Sequence, residues 1–162
     1  MSVFHVTRRG LIAAGTALAL TLGLAGGAQA QTPPGVLIVG QIAEPKALDP
    51  AAVTAVNDFR ILMNMYDGLV RYKDGTLEVE PALAESWTIS DDGTVYTFKL
   101  REGVTFHDGS PFNAEAVKFH FERMLNEDHP YHDTGPFPLS FFFSSVDTIT
   151  AVDDMTVEFK LK

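Results

Sequence analysis

The sequence contains no cysteine among its 162 residues. The chain therefore cannot form a disulfide, use a thiol nucleophile, or carry a lipid anchor on a cysteine that follows a signal segment. Several enzyme motifs are also absent from the sequence: G-x-S-x-G, H-E-x-x-H and the P-loop. These absences argue against a hydrolase or a nucleotide-dependent enzyme.

Basic residues are scarce as well. Lys and Arg together number 12 against 21 Asp and Glu, which gives a formal net charge of −9. A chain this acidic, without a basic stripe, is a poor nucleic-acid binder because it repels phosphates. The apolar run at residues 11–24 is shorter than the roughly 20 residues that a membrane span needs, and Gly and Thr interrupt it.

The N-terminus has the three regions of a signal peptide. Arg8 and Arg9 precede the apolar run, and Ala28-Gln29-Ala30 is a small-x-small cleavage site, so residues 1–30 are predicted to be removed after Ala30. A membrane anchor is the rival interpretation. Residues 7–12 also resemble a twin-arginine signal, although Leu11 and Ala13 replace the usual Phe and Lys, and the general secretory route stays open.

Cleavage at this site changes the charge and the expected location. Loss of Arg8 and Arg9 shifts the net charge from −9 to about −11. Because no cysteine follows the signal, we expect the mature protein to be free in the periplasm of a Gram-negative host.

Hydrophobic periodicity predicts a mixed α+β domain in residues 31–162. We expect a fully buried strand at 36–42, a helix at 57–66 and a hairpin around Gly75. A strand pair is expected at 147–152 and 157–161. The aromatic run at 137–143 is open to two interpretations, core packing or a docking patch.

The densest pattern lies in residues 83–117. Strand-like runs alternate there with turn signals at Asp92-Gly93, Glu102-Gly103 and Asp108-Gly109. Tyr96, Phe98 and Leu100 recur with period two, which predicts a strand with one buried face. Asn113 precedes a helical pattern that places Val117, Phe121 and Leu125 on one face, and it is expected to cap that helix.

The same block carries a family resemblance. The string A-E-S-W, then D-D-G-x-x-Y-x-F-x-L-R-x-G-V-x-F-H-D-G-x-P-F-N-A-x-x-V, resembles the signature of the family 5 extracellular solute-binding proteins. These are the dipeptide-, oligopeptide- and nickel-binding components of ABC importers. Shorter pieces agree in order at Glu44-Pro45, Leu48-Asp49-Pro50, Tyr66-Asp67-Gly68-Leu69 and Val152-Asp153-Asp154.

The resemblance implies a two-lobed periplasmic binding protein-like fold of type 2, peptide-binding class, with α/β architecture. It implies a non-enzymatic protein without a cofactor, which captures a dipeptide or oligopeptide and delivers it to an ABC permease and ATPase at the inner membrane. A nickel chelate, glutathione and an opine stay open as solutes. A periplasmic hydrolase is the rival class, and a partner that presents solute to a chemoreceptor would share the fold.

Family members are longer than this sequence. We therefore expect residues 31–162 to be the N-terminal part of the family domain, with only part of the first lobe present. We expect these residues alone to be poorly soluble or to bind no solute, because a strand edge and apolar surface stay uncovered. The full-length protein is expected to be a monomer.

Two groups of residues are candidate sites. The resemblance implies that the chain at Glu44, Pro45, Ala47 and Leu48 leaves a strand end on the cleft side, where backbone groups contact the solute; a plain turn shaped by proline is the alternative. His129 and His132, flanked by Asp128 and Asp133, have the ligand types of a nickel or zinc site, but they lie in a proline-interrupted stretch that favours a solvated loop.

Overall fold

The computed structural model describes residues 32–162. The expected signal peptide, with Arg8, Arg9 and the cleavage site after Ala30, lies outside the described residues. The chain divides into two compact units, described over residues 32–40 and over residues 41–162 respectively. The helices and strands of the described residues all belong to the second unit.

The apolar run at residues 36–42 is not a strand, and the prediction of a fully buried one is wrong. Its large side chains are exposed, from 52% for Val36 to 90% for Ile42. The run also lies outside both sheets formed within residues 32–162. A buried strand needs neighbours that take up its backbone N–H and C=O groups, and within those residues no strand pairs with this run.

Two antiparallel sheets form in the second unit. Strands β1 and β2 make a hairpin, and the other four strands make one sheet in the order β3-β4-β6-β5. The strands are β1 (Val70–Tyr72), β2 (Val79–Pro81), β3 (Ala84–Ile89), β4 (Val95–Leu100), β5 (Val146–Asp153) and β6 (Thr156–Leu161). The two central strands, β4 and β6, are distant in sequence. Their pairing brings together the two ends of the long stretch of chain that lies between them.

The predicted hairpin turns are confirmed. Gly75, between β1 and β2, and Gly93, between β3 and β4, have φ angles of 74° and 72°. In this left-handed region a side chain would collide with its own backbone, which is why glycine occupies both turns. The strand pair at the C-terminal end is confirmed as β5 and β6.

Helix α1 (Val56–Leu62) is shorter than predicted, while α2 (Ala114–Leu125) begins where it was expected. Leu62 is 1% exposed, but Met63 is 78% exposed, because the chain leaves the helix there in a turn. At the start of α2, Asn113 Oδ1 accepts the Ala116 N–H at 2.9 Å, which confirms the predicted cap. Within the described residues, no helix is long and apolar enough to cross a membrane.

The main core lies between α2 and one face of the larger sheet. Leu100 and Val157 are completely buried at its centre. Phe121 of α2 packs edge-on against Phe159 of β6, with ring centroids 5.0 Å apart. This packing fixes α2 on the sheet and confirms the mixed α+β class.

A smaller core joins α2 to the segment before α1. Ala51, in the short 3-10 turn Pro50–Ala52, packs with Met124 and Phe137. The aromatic run at 137–143 divides between the two interpretations, since Phe137 is 3% exposed whereas Phe141 and Phe142 are 62% and 68% exposed. The contact of Ala51 with Met124 fixes the chain just after the predicted solute-contact residues.

Candidate functional site

The predicted contact residues belong to one surface stretch, residues 44–49, which we call the 44–49 segment. Glu44 and Leu48 are exposed, while Pro45 and Ala47 are half-buried. The segment runs directly into the 3-10 turn Pro50–Ala52 and then into α1. It contains a single proline, Pro45, so its conformation depends largely on the side chains that contact it.

Two neighbouring side chains at the start of α1 hold the first half of this segment. Asp58 Oδ1 accepts the backbone N–H of Lys46 at 3.0 Å. Asn57 Nδ2 donates to the carbonyl oxygen of Glu44 at 3.4 Å and to Asp58 Oδ1 at 3.2 Å. The first turn of α1 thus contacts the segment through both main-chain donor and acceptor groups.

The second half of the segment is held by longer-range contacts. The Tyr66 hydroxyl donates to the carbonyl oxygen of Leu48 at 2.8 Å. Asp49 Oδ1 accepts the Ala51 N–H at 2.9 Å, and its Oδ2 accepts from the Arg123 guanidinium at 2.8 Å. Helix α2 is thereby connected to the segment across 74 residues of sequence.

The guanidinium of Arg123 is well placed for this ion pair. Its side chain is 14% exposed and that of Asp49 is 33% exposed, so solvent screens the pair less than it screens a fully exposed one. Arg123 also donates to the Thr134 hydroxyl at 3.2 Å and lies over the Phe137 ring at 5.1 Å. These contacts fix the planar guanidinium of Arg123 in one orientation.

A cavity of about 420 Å³ begins where the segment ends. Its wall is mainly apolar and aromatic, and its charged lining residues are Asp49, Asp67 and Arg123. The lining residues include Tyr66, Leu69, Leu83, Phe106, Phe112, Val117 and Phe121. A mainly apolar cavity with a few polar groups is typical of sites that bind small molecules.

His120 lies on the wall of this cavity rather than on an outward helix face. Burial lowers the pKa of its imidazole, and the positive charge of Arg123 lowers it further. The negative charge of Asp49 acts in the opposite direction and raises the pKa. The net direction is downward, so the neutral ring is favoured in the cavity wall.

The two histidines considered as metal ligands make other contacts. His132 Nδ1 donates to the carbonyl oxygen of Arg123 at 2.9 Å, and His129 Nδ1 accepts the Tyr131 N–H at 3.2 Å. The His129 ring also packs edge-on against Phe119 at 5.1 Å. Within residues 32–162, no group of three or more His, Cys, Asp or Glu side chains is arranged to hold a metal ion.

The sequence predicted solute contact at residues 44–49 from a strand end, but residues 36–42 form no strand, and the side chains that hold the segment were missed. Asp58 and Arg123 lie on helices whose apolar periodicity predicts only which face is buried. An acid in the first turn of α1 was a weak signal for Asp58, because that position is also favoured by the helix dipole. No sequence signal relates Arg123 to Asp49, since the pair forms only when α2 packs against the 3-10 turn.

The α+β scaffold carries the anchored segment on its surface, and the cavity adjoins it. The family model for bacterial extracellular solute-binding proteins, family 5 Middle, matches residues 78–162. The chain belongs to this family.

Two curated relatives are similar to this chain over much of its length. Di/tripeptide-binding protein 2 of Pseudomonas aeruginosa is 39% identical over 155 residues, which cover 88% of this chain and 29% of the relative. Heme-binding protein A of Haemophilus influenzae is 42% identical over 108 residues, which cover 60% of this chain and 20% of the relative.

A solved structure agrees with these relatives. The ABC transporter-associated periplasmic binding protein DppA from Helicobacter pylori, in complex with the peptide STSA, matches with a TM-score of 0.66 and 39% identity. The match covers 74% of this chain and 26% of that protein. The chain therefore has the fold of part of a family 5 binding protein, and it spans less than a third of the length of the relatives it matches.

Proposed function

We propose that this chain is part of the substrate-binding component of an ABC importer, and that the complete protein captures a peptide-like solute. The similarity to a di/tripeptide-binding protein, 39% identity across 88% of this chain, carries this proposal. The complete protein would bind the solute and release it without changing it chemically.

The 44–49 segment is the proposed contact with the solute on this chain. Peptides are commonly bound by strand-like pairing, in which backbone groups supply the hydrogen bonds and side-chain pockets tolerate variety. Glu44, Pro45, Ala47 and Leu48 would contribute such groups, and the anchoring of the segment by α1, by Tyr66 and by α2 supports this role. The remaining contacts, and the second lobe, are proposed to lie outside residues 31–162, which hold only part of the first lobe.

Export completes the proposed biology. Residues 1–30 would direct the chain to the periplasm by the twin-arginine or the general secretory route and be cleaved after Ala30. There the ligand would stabilise a closed arrangement of two lobes, and that arrangement would be recognised by the permease and ATPase complex. The full-length protein would act as a monomer.

Heme is the second candidate solute. The similarity to Heme-binding protein A favours it, at 42% identity over 108 residues, although that match covers only 60% of this chain. A nickel chelate, glutathione and an opine are the alternative solutes within the same class of binding protein, and His129 and His132 are the candidate nickel ligands.

A thermal-shift screen of the complete gene product, including any coding sequence after the codon for Lys162, tests the proposal. The ligands are a dipeptide and tripeptide library, hemin, Ni²⁺, glutathione and octopine, with free amino acids as the control. At 100 times its dissociation constant, a peptide would stabilise the folded state by about 2.7 kcal/mol, so its melting temperature should rise. A shift with hemin and none with any peptide would replace the peptide proposal.

A further inference from the structure

Asp58 is a completely buried carboxylate in the first turn of α1. Its Oδ1 accepts two hydrogen bonds, from the Lys46 N–H and from Asn57 Nδ2. Its Oδ2 is also buried and, within residues 32–162, has no hydrogen-bond partner. Burial of a carboxylate with one oxygen unpaired is unfavourable, so this residue is not explained by packing alone.

The start of α1 does not account for Asp58 either. A side chain that caps a helix accepts the N–H groups of the first turn, but the bonds of Asp58 run outward to Lys46 and to the amide of Asn57. The cap position, Ala55, has no side-chain hydrogen bond. The helix dipole lowers the energy of an acid at this position, but it also does so for an exposed acid, so it does not require burial.

The contacts at the other end of the segment give Asp58 its significance. Tyr66, in the turn that follows α1, holds Leu48, and Arg123 of α2 holds Asp49, so the chain from Leu48 onward is fixed by contacts that do not involve Asp58. Asp58 and Asn57 fix Lys46 and Glu44. Ala47 lies between these two sets of anchors. The main chain is therefore held by hydrogen bonds on both sides of Ala47.

We propose that Asp58 is a positioning residue for solute binding, which holds the 44–49 segment in its solute-competent conformation through the Lys46 N–H. The inference rests on the proposed function, because it assumes that the segment contacts the solute. A segment ordered before binding loses less conformational entropy when the solute arrives, and this raises affinity without a direct contact. The buried Asp58 acts through the backbone of Lys46.

Three variants of the complete protein separate this role from general destabilisation. Asp58→Ala removes the acceptor for Lys46. Asp58→Asn keeps an Oδ1 acceptor for Lys46, removes the negative charge, and places an NH2 group where the oxygen has no partner within residues 32–162. Asn113→Ala is the matched control, since it removes a helix cap at α2 and touches no residue of the segment.

Each variant is titrated by calorimetry with the tightest-binding peptide of the screen, and amide exchange is followed for residues 44–49. We expect Asp58→Ala to weaken binding about tenfold and to speed exchange in the segment by a similar factor, since a hydrogen bond to a charged acceptor is lost. Asp58→Asn should stay within about threefold of the wild type. Asn113→Ala should lower the melting temperature and leave the affinity unchanged.

The outcomes distinguish the two proposals. Wild-type affinity in Asp58→Ala, or an equal loss of affinity in Asn113→Ala, would overturn the positioning role and leave the proposed function intact. A wild-type protein that binds no peptide would refute the proposed function and this inference with it. Should Asp58→Ala fail to fold, Asp58→Leu replaces it, because this apolar side chain of similar size also removes the acceptor for Lys46; the same loss of about tenfold is expected, and unchanged affinity there would overturn the role.

Discussion

Single carboxylates organise the turns of this chain. Asp92 accepts hydrogen bonds from the Ser90 hydroxyl at 2.6 Å, from the Thr94 N–H at 3.1 Å and from the Thr94 hydroxyl at 2.9 Å. Asp108 accepts from the hydroxyl and the N–H of Ser110, at 2.6 Å and 2.9 Å. In both turns these bonds, led by the serine hydroxyl, lower the pKa of the carboxyl below its ordinary value.

Replacing Ser90 by Ala should raise the pKa of Asp92 toward its ordinary value. The depressed pKa stabilises the fold at pH values above the ordinary carboxyl pKa, and this contribution is lost as the pH falls through the folded-state pKa. In the Ser90→Ala variant, acidification should therefore remove less of the free energy of unfolding through Asp92 than it does in the wild type. An NMR titration of the side-chain carboxyl carbon measures the change.

Asp108 is the internal control for this experiment. Its turn has the same type of serine contact but lies in a different loop, so its pKa should stay at the wild-type value in Ser90→Ala. An Asp92 that titrates at the wild-type pH in the variant would show that the hydroxyl does not control the carboxyl.

His120 gives a second prediction at the residue scale. Its lowered pKa favours the neutral imidazole, whereas the lowered pKa values of Asp92 and Asp108 favour the charged carboxylates. Because burial lowers its pKa in the folded state, the unfolded chain binds a proton at higher pH than the folded chain does. The free energy of unfolding should then fall as the pH drops from the ordinary histidine range toward the folded-state pKa. Part of this pH dependence should disappear in His120→Gln, as measured by urea unfolding between about pH 8 and pH 5.

The wild-type protein is the reference for that slope, and a His107→Gln variant, altered at an exposed histidine, is the matched control. Equal pH slopes for wild type and His120→Gln would contradict the assignment of the cavity-facing ring to the neutral form.

At the scale of elements, local signals predicted local structure well. The Asp92-Gly93 turn, the alternation from Tyr96 to Leu100 and the Asn113 cap each depend on residues within a few positions of one another. The resemblance carried by residues 83–117 covers the same elements. Local pattern and backbone geometry agree here because turn and cap chemistry need no distant partner.

Elements that depend on distant partners were predicted poorly. The run at 36–42 has the composition of a buried strand, but within residues 32–162 no strand pairs with it. The predicted helix at 57–66 ends at Leu62. Tyr66 lies beyond the helix, and its hydroxyl donates to the carbonyl oxygen of Leu48. Asp58 and Arg123 were missed for the same reason, since their partners lie 12 and 74 residues away.

The packing of α2 on the larger sheet depends on Leu100. This side chain is completely buried in the main core, so Leu100→Ala should lower the free energy of unfolding by about 2–5 kcal/mol. Leu77→Ala is the matched control because Leu77 is 89% exposed, and its effect should stay within about 0.5 kcal/mol. Urea unfolding measures both, and a Leu100 variant as stable as the Leu77 variant would contradict the assigned core.

At the scale of the whole molecule, the described residues form part of a longer architecture. The chain matches the DppA structure over 74% of its own length and only 26% of that protein. Most of that protein's length therefore has no counterpart in these residues, whose scaffold is sufficient to identify the family.

The central claim is that the complete protein binds a peptide-like solute and releases it chemically unchanged. Calorimetric titration of the complete gene product with the tightest-binding peptide of the screen, followed by mass spectrometry of the recovered peptide, tests this claim in one experiment. The account predicts saturable binding of one peptide per protein, with the peptide recovered intact. No binding heat with any peptide, or recovery of a cleaved peptide, would contradict it.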